Sequence, residues 1–179
     1  MTGGGDRVVL RTHMTARYEI RDLLAGAFAS ELIAPSRCLW LVSPWLRDIE
    51  VLDNRSAAFR GVGPTWGRRT VRLYEALAAL AERGSSLVVA TRSSDDGKRA
   101  IDELRRRLAE AQVDDRLSAV SRPELHAKGL LADGFCISGS MNFTHHGVQH
   151  AEEMIRYETA AERVAELRVA FRAEYGGVL

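Results

Sequence analysis

The order of strand-like and helical segments constrains the fold of this chain more than any other feature. Between residues 15 and 112, three helical patterns, over 15–34, 67–83 and 94–112, alternate with apolar strand-like runs at Cys38–Val42 and Ser86–Ala90. Strand-like runs then follow one another at 117–120, 125–132, 135–138 and 152–157, before a last helical pattern over 160–175. Strands that first alternate with helices and then cluster favour an α/β fold, a mixed β-sheet flanked by helices on both faces.

The composition supports a globular protein and excludes several other classes. The chain has 179 residues, 46% of them hydrophobic and 27% charged, which suits one compact domain over residues 1–179 and not a disordered, collagen-like or coiled-coil chain. The formal net charge is only +1, so contact with a nucleic acid or a membrane must depend on a local patch. No apolar run has the length of a membrane span or a signal peptide, and we expect a cytoplasmic protein without stable membrane association.

The segment from Leu125 to Asn142 contains the candidate catalytic residues. His126 and Lys128 are two apart in a strand-like run, so their side chains point to one face, while the neighbours Leu125, Ala127 and Leu131 can pack on the other. A turn at Asp133-Gly134 reverses the chain. The returning strand then delivers Gly139-Ser140-Met141-Asn142 near the same edge.

These side chains suit a tetrahedral phosphate. An ammonium supplies charge, and the Ser140 hydroxyl and Asn142 amide supply neutral donors that can follow the phosphate oxygens into a transition state. An imidazole can act as nucleophile or proton carrier near neutral pH. A carboxylate behind the imidazole would fix its tautomer.

The segment resembles the HKD motif of the phospholipase D superfamily, His-x-Lys-x4-Asp-x6-Gly-Ser-x-Asn. His126, Lys128 and Asp133 match in type and spacing, and Gly139-Ser140-x-Asn142 matches in type, although five residues and not six precede Gly139. The resemblance implies a phospholipase-D-like sandwich and a phosphodiester exchange without metal or cofactor, in which histidine forms a phosphohistidine. It also implies a downstream carboxylate that orients the histidine, assigned to Glu152 with Glu153 as the alternative. Asp133 is either part of this catalytic set or a turn residue.

The two-step exchange requires two histidines, and the chain contains one such motif. Its cations are 23 arginines and two lysines, Lys98 and Lys128, and no histidine stands two residues before Lys98. Small members of the superfamily with one motif form a composite site across a twofold axis. We therefore expect a homodimer in which His126 and Lys128 of both chains face one phosphate.

An arginine-rich loop offers a local positive patch. Residues 54–74 contain five arginines and no acidic residue, with Phe59 and Trp66 among them. We assign backbone contact with a nucleic acid to Arg68 and Arg69 and base stacking to Trp66 or Phe59; a merely solvated loop is an equal alternative. Trp45 follows a strand end, where α/β sheets commonly build sites, and is a further candidate for substrate binding or for the core.

Three histidines near the motif raise the question of a metal site. His145, His146 and His150 precede Glu152 and Glu153, but Gly147 interrupts the segment, so we expect no metal. His13 has no partner in the sequence and is expected to be structural or exposed. Cys38 and Cys136 are expected to be buried free thiols.

The size of the chain and its single motif resemble the short bacterial nucleases of the superfamily, which implies a nuclease, and we expect DNA as the substrate. Ser43-Pro44-Trp45 and the Asn-Phe-Thr to Glu-Glu stretch are similar to superfamily members encoded with bacterial DNA-modification or phage-defence systems, including the DpdK-like branch. A lipid phosphodiesterase is the second hypothesis, although no membrane-binding helix stands out. The third is a catalytically idle nucleic-acid-binding subunit of a larger DNA-modification or defence complex.

Overall fold

The structure is a computed structural model that describes residues 6–11, 19–149 and 152–179. Its helices are α1 (Glu19–Ile33), α2 (Leu73–Glu82), α3 (Asp95–Glu110), α4 (His145–Gln149) and α5 (Ala161–Tyr175). Its strands are β1 (Arg7–Arg11), β2 (Cys38–Val42), β3 (Glu50–Asp53), β4 (Thr70–Arg72), β5 (Ser86–Arg92), β6 (Leu117–Arg122), β7 (Gly129–Leu131), β8 (Cys136–Gly139) and β9 (Glu153–Glu158).

Seven of the described strands form one mixed sheet, as the sequence predicts. The strand order is β1-β9-β8-β7-β2-β5-β6. Strands β2, β5 and β6 are parallel, because α2 and α3 provide the crossovers between them. The other pairs, from β2–β7 outward to β1–β9, are antiparallel. Strands β3 and β4 form a separate two-stranded sheet.

Helices cover both faces of the large sheet, which confirms the predicted layers. Strand β2 illustrates the arrangement, since Leu39 and Leu41 pack with α1, α2 and α3 in the larger core cluster. Trp40 points to the opposite face and packs with Val164 of α5. Burying side chains of this size stabilises the fold by about 1.5–3 kcal/mol each. Cys38 and Cys136 are buried free thiols, as expected, and burial raises the pKa of Cys136 to about 11.

The predicted element boundaries need two corrections. The helical pattern over 67–83 begins as a helix only at Leu73, because Thr70–Arg72 pair with β3 instead. The predicted strand over 125–132 is ordered as a strand only at Gly129–Leu131, so His126 and Lys128 precede β7. Residues 15–18 of the first predicted helix and His13 lie outside the described residues. Within the described part of the chain, no helix combines the length and apolar character that crossing a membrane requires.

Candidate active site

The strand directions bring distant parts of the sequence to one edge of the sheet. The carboxyl ends of β2, β5 and β6 lie at this edge, together with the start of the antiparallel β7. The carboxyl end of β8 and the start of β9 lie there as well, because Gly139 pairs with Ile155. This edge therefore collects the residues after β2, before β7, after β8 and before β9, which include most of the predicted site.

His126 and Lys128 lie in an extended segment that leads into β7. Leu125 is buried and anchors this segment, whereas the His126 side chain is exposed and Lys128 is half-buried. The Lys128 Nζ donates to the carbonyl oxygen of His126 at 2.6 Å and lies 3.5 Å from its Nδ1. The ammonium and the imidazole thus stand together, as the spacing predicts. Ala127 is exposed, so the expectation that it packs against the core is wrong.

Ser140 and Glu153 form a hydrogen-bonded pair at the same edge of the sheet as His126 and Lys128. The Ser140 hydroxyl donates to the Glu153 carboxylate and accepts from the backbone N–H of Met154 at 3.0 Å. Its only proton is therefore directed at Glu153. In this arrangement Ser140 positions the carboxylate, and the prediction that it donates to a phosphate oxygen does not describe the resting site.

The buried carboxylate at this edge is Glu153 and not Glu152. Glu153 and Ile155 are buried, whereas Met154 and Glu152, which precedes β9, are exposed. The negative charge of Glu153 raises the pKa of Lys128, and its carboxylate accepts a hydrogen bond from Ser140 and none from His126. Of the two glutamates that the sequence left open, Glu153 is thus the one that faces inward, and its role in orienting His126 stays a prediction.

The electrostatics of Lys128 follow from its partial burial. Desolvation lowers the pKa of the Lys128 ammonium, because burial penalises the charged form. The negative charge of Glu153 acts in the opposite direction and raises the pKa of Lys128. The result is a cation that is less hydrated than a surface lysine, next to a buried carboxylate. Such a cation interacts more strongly with a phosphate than one in bulk water.

Asn142 follows β8, and its neighbour Phe143 is hydrogen-bonded to the residues that follow β2. The backbone N–H of Phe143 donates to the Ser43 hydroxyl at 3.1 Å, and Phe143 forms a bridge with Leu46. The Asn142 Oδ1 atom is buried and has no hydrogen-bond partner among the described atoms. Since Oδ1 only accepts hydrogen bonds, this atom suits a donor group of a ligand, whereas contact with a phosphate oxygen would use the Nδ2 of the same amide.

Asp133 lies at the opposite end of the β7–β8 hairpin, which corrects its placement in the catalytic set. Its carboxylate forms an ion pair with Arg168 of α5 and accepts from the backbone N–H of Arg37 at 3.2 Å. Its own N–H donates to the Ser36 hydroxyl at 2.7 Å. Since His126 and Ser140 lie at the other ends of these strands, Asp133 ties the hairpin to α5 and takes no part in the site.

The arginine-rich loop is used mostly for structure. Trp66 is 5% exposed and belongs to the core, so the prediction that it stacks on a base is wrong. Arg69 forms a bidentate ion pair with the buried Glu75, at 2.8 and 2.5 Å, which engages the guanidinium that was assigned to a nucleic acid. Arg68 is exposed and forms no ion pair with a described residue. Phe59 is partly buried against the same core.

Of the two alternatives for Trp45, substrate binding and the core, its exposure favours the first. Its side chain is 42% exposed, and the guanidinium of Arg92 packs over its ring at 5.9 Å from the centroid. The sequence did not single out Arg92, since an arginine at a strand end carries no signal of its own, and it noted Ser43 only as part of Ser43-Pro44-Trp45. Only the parallel pairing of β2 and β5 brings them together.

The histidines after the motif lie in or next to α4. His145 and His146 are exposed residues of this short helix, and His150 lies outside the described residues. Among the residues that the structure describes, no group of three or more His, Cys, Asp or Glu side chains could hold a metal ion together.

The structure thus combines a mixed sheet flanked by helices with a histidine, a lysine, an asparagine and a buried glutamate at one edge. The family model for the phospholipase-D-like domain of cardiolipin synthase matches residues 51–175, and the chain belongs to the phospholipase D superfamily. A comparison with curated proteins finds no match to the chain.

Solved structures share the fold at low sequence identity. NucT from Helicobacter pylori is 12% identical with a TM-score of 0.58, and the alignment covers 94% of this chain and 95% of NucT. Nuc from Salmonella typhimurium, a phospholipase D family member, is 14% identical with a TM-score of 0.58, over 94% of this chain and 92% of Nuc. Polyphosphate kinase from Porphyromonas gingivalis is 15% identical with a TM-score of 0.61, over 94% of this chain but 23% of the kinase. At these identities the likeness shows the fold.

Proposed function

We propose that the protein is a metal-independent phosphodiesterase that cleaves nucleic acid, DNA in particular, through a phosphohistidine at a site shared by two copies of the chain. The observation that carries this proposal is the convergence of His126, Lys128, Asn142 and Glu153 at one sheet edge. Its place of action would be the cytoplasm.

In the first step, the unprotonated imidazole nitrogen of His126 attacks phosphorus and forms an N–P bond. The bond from phosphorus to the leaving oxygen breaks, and that oxygen takes a proton from the imidazolium of His126 of the partner subunit. In the second step water attacks phosphorus and gives its proton to the same partner imidazole, and the N–P bond breaks. Lys128 and Asn142 hold the non-bridging oxygens, while Ser140 and Glu153 position the charged groups around them.

Two further observations support nucleic acid as the substrate. NucT and Nuc, whose names mark them as nucleases, match this chain over nearly their whole length. Trp45 is an exposed aromatic residue that follows β2, whose carboxyl end lies at the edge that carries the site. Arg68 is an exposed cation as well and remains a candidate for contact with a phosphate backbone. Membership of a larger DNA-modification or defence complex is compatible with this activity.

The test is a cleavage assay in EDTA with labelled single-stranded DNA, double-stranded DNA, RNA and phosphatidylcholine. We expect cleavage of nucleic acid that survives EDTA and is lost by at least about 10²-fold in His126→Ala. Hydrolysis of the lipid alone would instead assign the protein to the lipid phosphodiesterases. Binding of DNA without turnover by the intact chain would identify a non-catalytic subunit, and loss of activity on chelation would contradict the metal-free mechanism.

The two lysines of the chain provide a matched pair of variants. Lys128→Ala should abolish cleavage, because it removes the desolvated cation next to the phosphate, whereas Lys98→Ala removes the same charge from α3 and should leave cleavage intact. Lys128→Arg should restore little activity, since a planar guanidinium does not reproduce the compact ammonium held against the His126 carbonyl oxygen. Equal effects of Lys128→Ala and Lys98→Ala would contradict the assignment.

A further inference from the structure

Trp45 differs from the other two tryptophans in its exposure. Trp40 is 0% exposed and Trp66 is 5% exposed, whereas Trp45 is 42% exposed. An indole that is partly exposed keeps an aromatic face that a ligand can contact. Trp45 is therefore the tryptophan whose ring is accessible from solvent.

The backbone around Trp45 is fixed to the segment that carries Asn142. The Ser43 hydroxyl donates to the Trp45 carbonyl at 2.7 Å and accepts from the N–H of Phe143. Two residues further on, the N–H of Arg47 donates to the carbonyl of Phe143 at 2.9 Å. These hydrogen bonds fix the backbone of residues 43–47 to Phe143, the residue next to Asn142.

Arg92 connects the same indole to the segment that carries His126. Its guanidinium packs over the Trp45 ring, and its Nε donates to the carbonyl of Pro123 at 3.0 Å. Pro123 is three residues before His126, and the N–H of Leu125 in between contacts the carbonyl of Arg122 at 3.4 Å. The Trp45–Arg92 pair is therefore connected by hydrogen bonds both to the segment that carries His126 and to the segment that carries Asn142.

The pair forms one wall of a groove with a volume of about 490 Å³, which is in the size range of sites for nucleotide-sized ligands. Its lining residues are Trp45, Arg92, Ser94, Asp95, Asp96 and Arg99. The Asp96 carboxylate is engaged by Arg99 at 2.6 Å and by Arg47 at 3.1 Å. Arg92 has no acidic partner among the described residues. Its positive charge is thus available to an anionic ligand in the groove.

We propose that Trp45 and Arg92 form a stacking subsite for an unpaired nucleobase next to the scissile phosphate, so that the site prefers single-stranded over double-stranded nucleic acid. The inference rests on the proposed function for the choice of a nucleic acid as substrate. Stacking on an aromatic face requires a base that has left its duplex neighbours, and it tolerates every base because each has a π-face. Arg92 holds one face of the indole and supplies a cation for the adjacent phosphate.

The exposure pattern makes Trp45 a built-in fluorescence probe. A short oligothymidine, titrated in EDTA into the full chain carrying His126→Ala to prevent turnover, should quench the tryptophan emission. Trp45→Phe should abolish the quenching and keep most of the affinity, because a phenyl ring still stacks. Trp66→Phe, which alters a buried tryptophan, should leave the quenching in place. Quenching that persists in Trp45→Phe would overturn the proposal.

An abasic strand separates base stacking from phosphate contact. Trp45→Ala should bind the intact oligothymidine about tenfold more weakly and the fully abasic strand of the same length about equally to the unaltered Trp45 chain. An equal loss on both strands would show that Trp45 acts through the fold or the phosphates and would overturn the proposal. A change of oligomeric state in Trp45→Ala by light scattering would do the same, by making Trp45 an interface residue.

The outcome is separable from that of the proposed function. Quenching with the expected abasic response, but without cleavage by the unaltered chain, would retain the stacking subsite and reject the nuclease. Cleavage without preference for single strands and without quenching would retain the nuclease and reject the subsite.

Discussion

Glu153 is the carboxylate on which the polar side chains of the site converge. Its carboxylate accepts a hydrogen bond from the Ser140 hydroxyl, and its negative charge raises the pKa of Lys128. Because burial lowers the pKa of Lys128 and the charge of Glu153 raises it, the glutamate keeps the lysine protonated to higher pH than burial alone would allow.

Replacement of Glu153 should therefore lower the pKa of Lys128. In Glu153→Gln the negative charge is gone, so the pKa of Lys128 falls further and the ammonium is lost at lower pH. An NMR titration that follows the Lys128 side chain should show this fall directly. Glu152→Gln, which alters an exposed residue just before β9, should leave the Lys128 titration in place. The same displacement in both variants would contradict the role assigned to Glu153.

The sequence predicts the identity of the site residues better than their exact geometry. His126, Lys128 and Asn142 are found where the motif places them, because residue type and spacing carry their chemistry. The choice between Glu152 and Glu153 depends on the register of β9, which the contact of the Ser140 N–H with the Met154 carbonyl at 3.1 Å fixes. A register set by long-range pairing is not visible in a local pattern.

At the level of single elements, the end of β8 depends on Gly139. This residue has a φ of 149°, a backbone conformation that residues other than glycine rarely adopt. A Cβ there would overlap the carbonyl oxygen of Met154 in β9. Gly139→Ala should therefore push β8 from β9 and separate Ser140 from Glu153. We expect a lower melting temperature together with a loss of activity that exceeds the loss of folded protein, as measured by activity per folded chain.

Gly134→Ala provides the control for this element. Gly134 lies in the turn at the other end of the hairpin, and a Cβ there meets no atom within 4 Å. That variant should retain both stability and activity. Comparable losses in the two glycine variants would show that the hairpin responds to substitution in general and not to the close approach at Gly139.

The other end of the hairpin depends on Asp133 and its ion pair with Arg168. Asp133→Asn leaves the buried Arg168 guanidinium without its carboxylate and should lower the free energy of unfolding by about 2 kcal/mol. Because the pair lies far along the strands from His126, cleavage per folded chain should stay near the original value. Urea unfolding and an activity assay on the same samples check both. A loss of activity without a loss of stability would show that Asp133 takes part in catalysis.

Sequence periodicity predicts some of the strands of this fold and misses others. The runs at Cys38–Val42 and Ser86–Arg92 are buried strands, since continuous apolar residues mark the centre of a sheet. Strand β4 lies in a segment that the sequence predicts as helix, and the sequence predicts no strand at β3. Each strand is short, and their pairing spans the loop between them. Trp66 lies in that loop, and only its tertiary contacts bury it.

For the whole molecule, the proposed shared site has a consequence for mixtures of chains. If each site needs His126 from two copies, a mixed dimer of the unaltered chain and His126→Ala is inactive. After subunit exchange at equal concentrations, the activity of the unaltered chain should fall to about half, because random pairing leaves half of its copies in mixed dimers. The same amount of Lys98→Ala should cause no fall. Undiminished activity in the first mixture would contradict the shared site.

Attack of His126 on a phosphodiester produces a covalent adduct, and trapping that adduct tests the proposed mechanism. The protein is mixed in EDTA with a DNA strand labelled at each end in separate experiments, denatured in alkali because the N–P bond is acid-labile, and separated by mass. We expect a labelled protein band with one of the two end labels, carried on His126 and absent in His126→Ala. Cleavage of the strand with no adduct, or an adduct that persists in His126→Ala, would show that His126 is not the nucleophile.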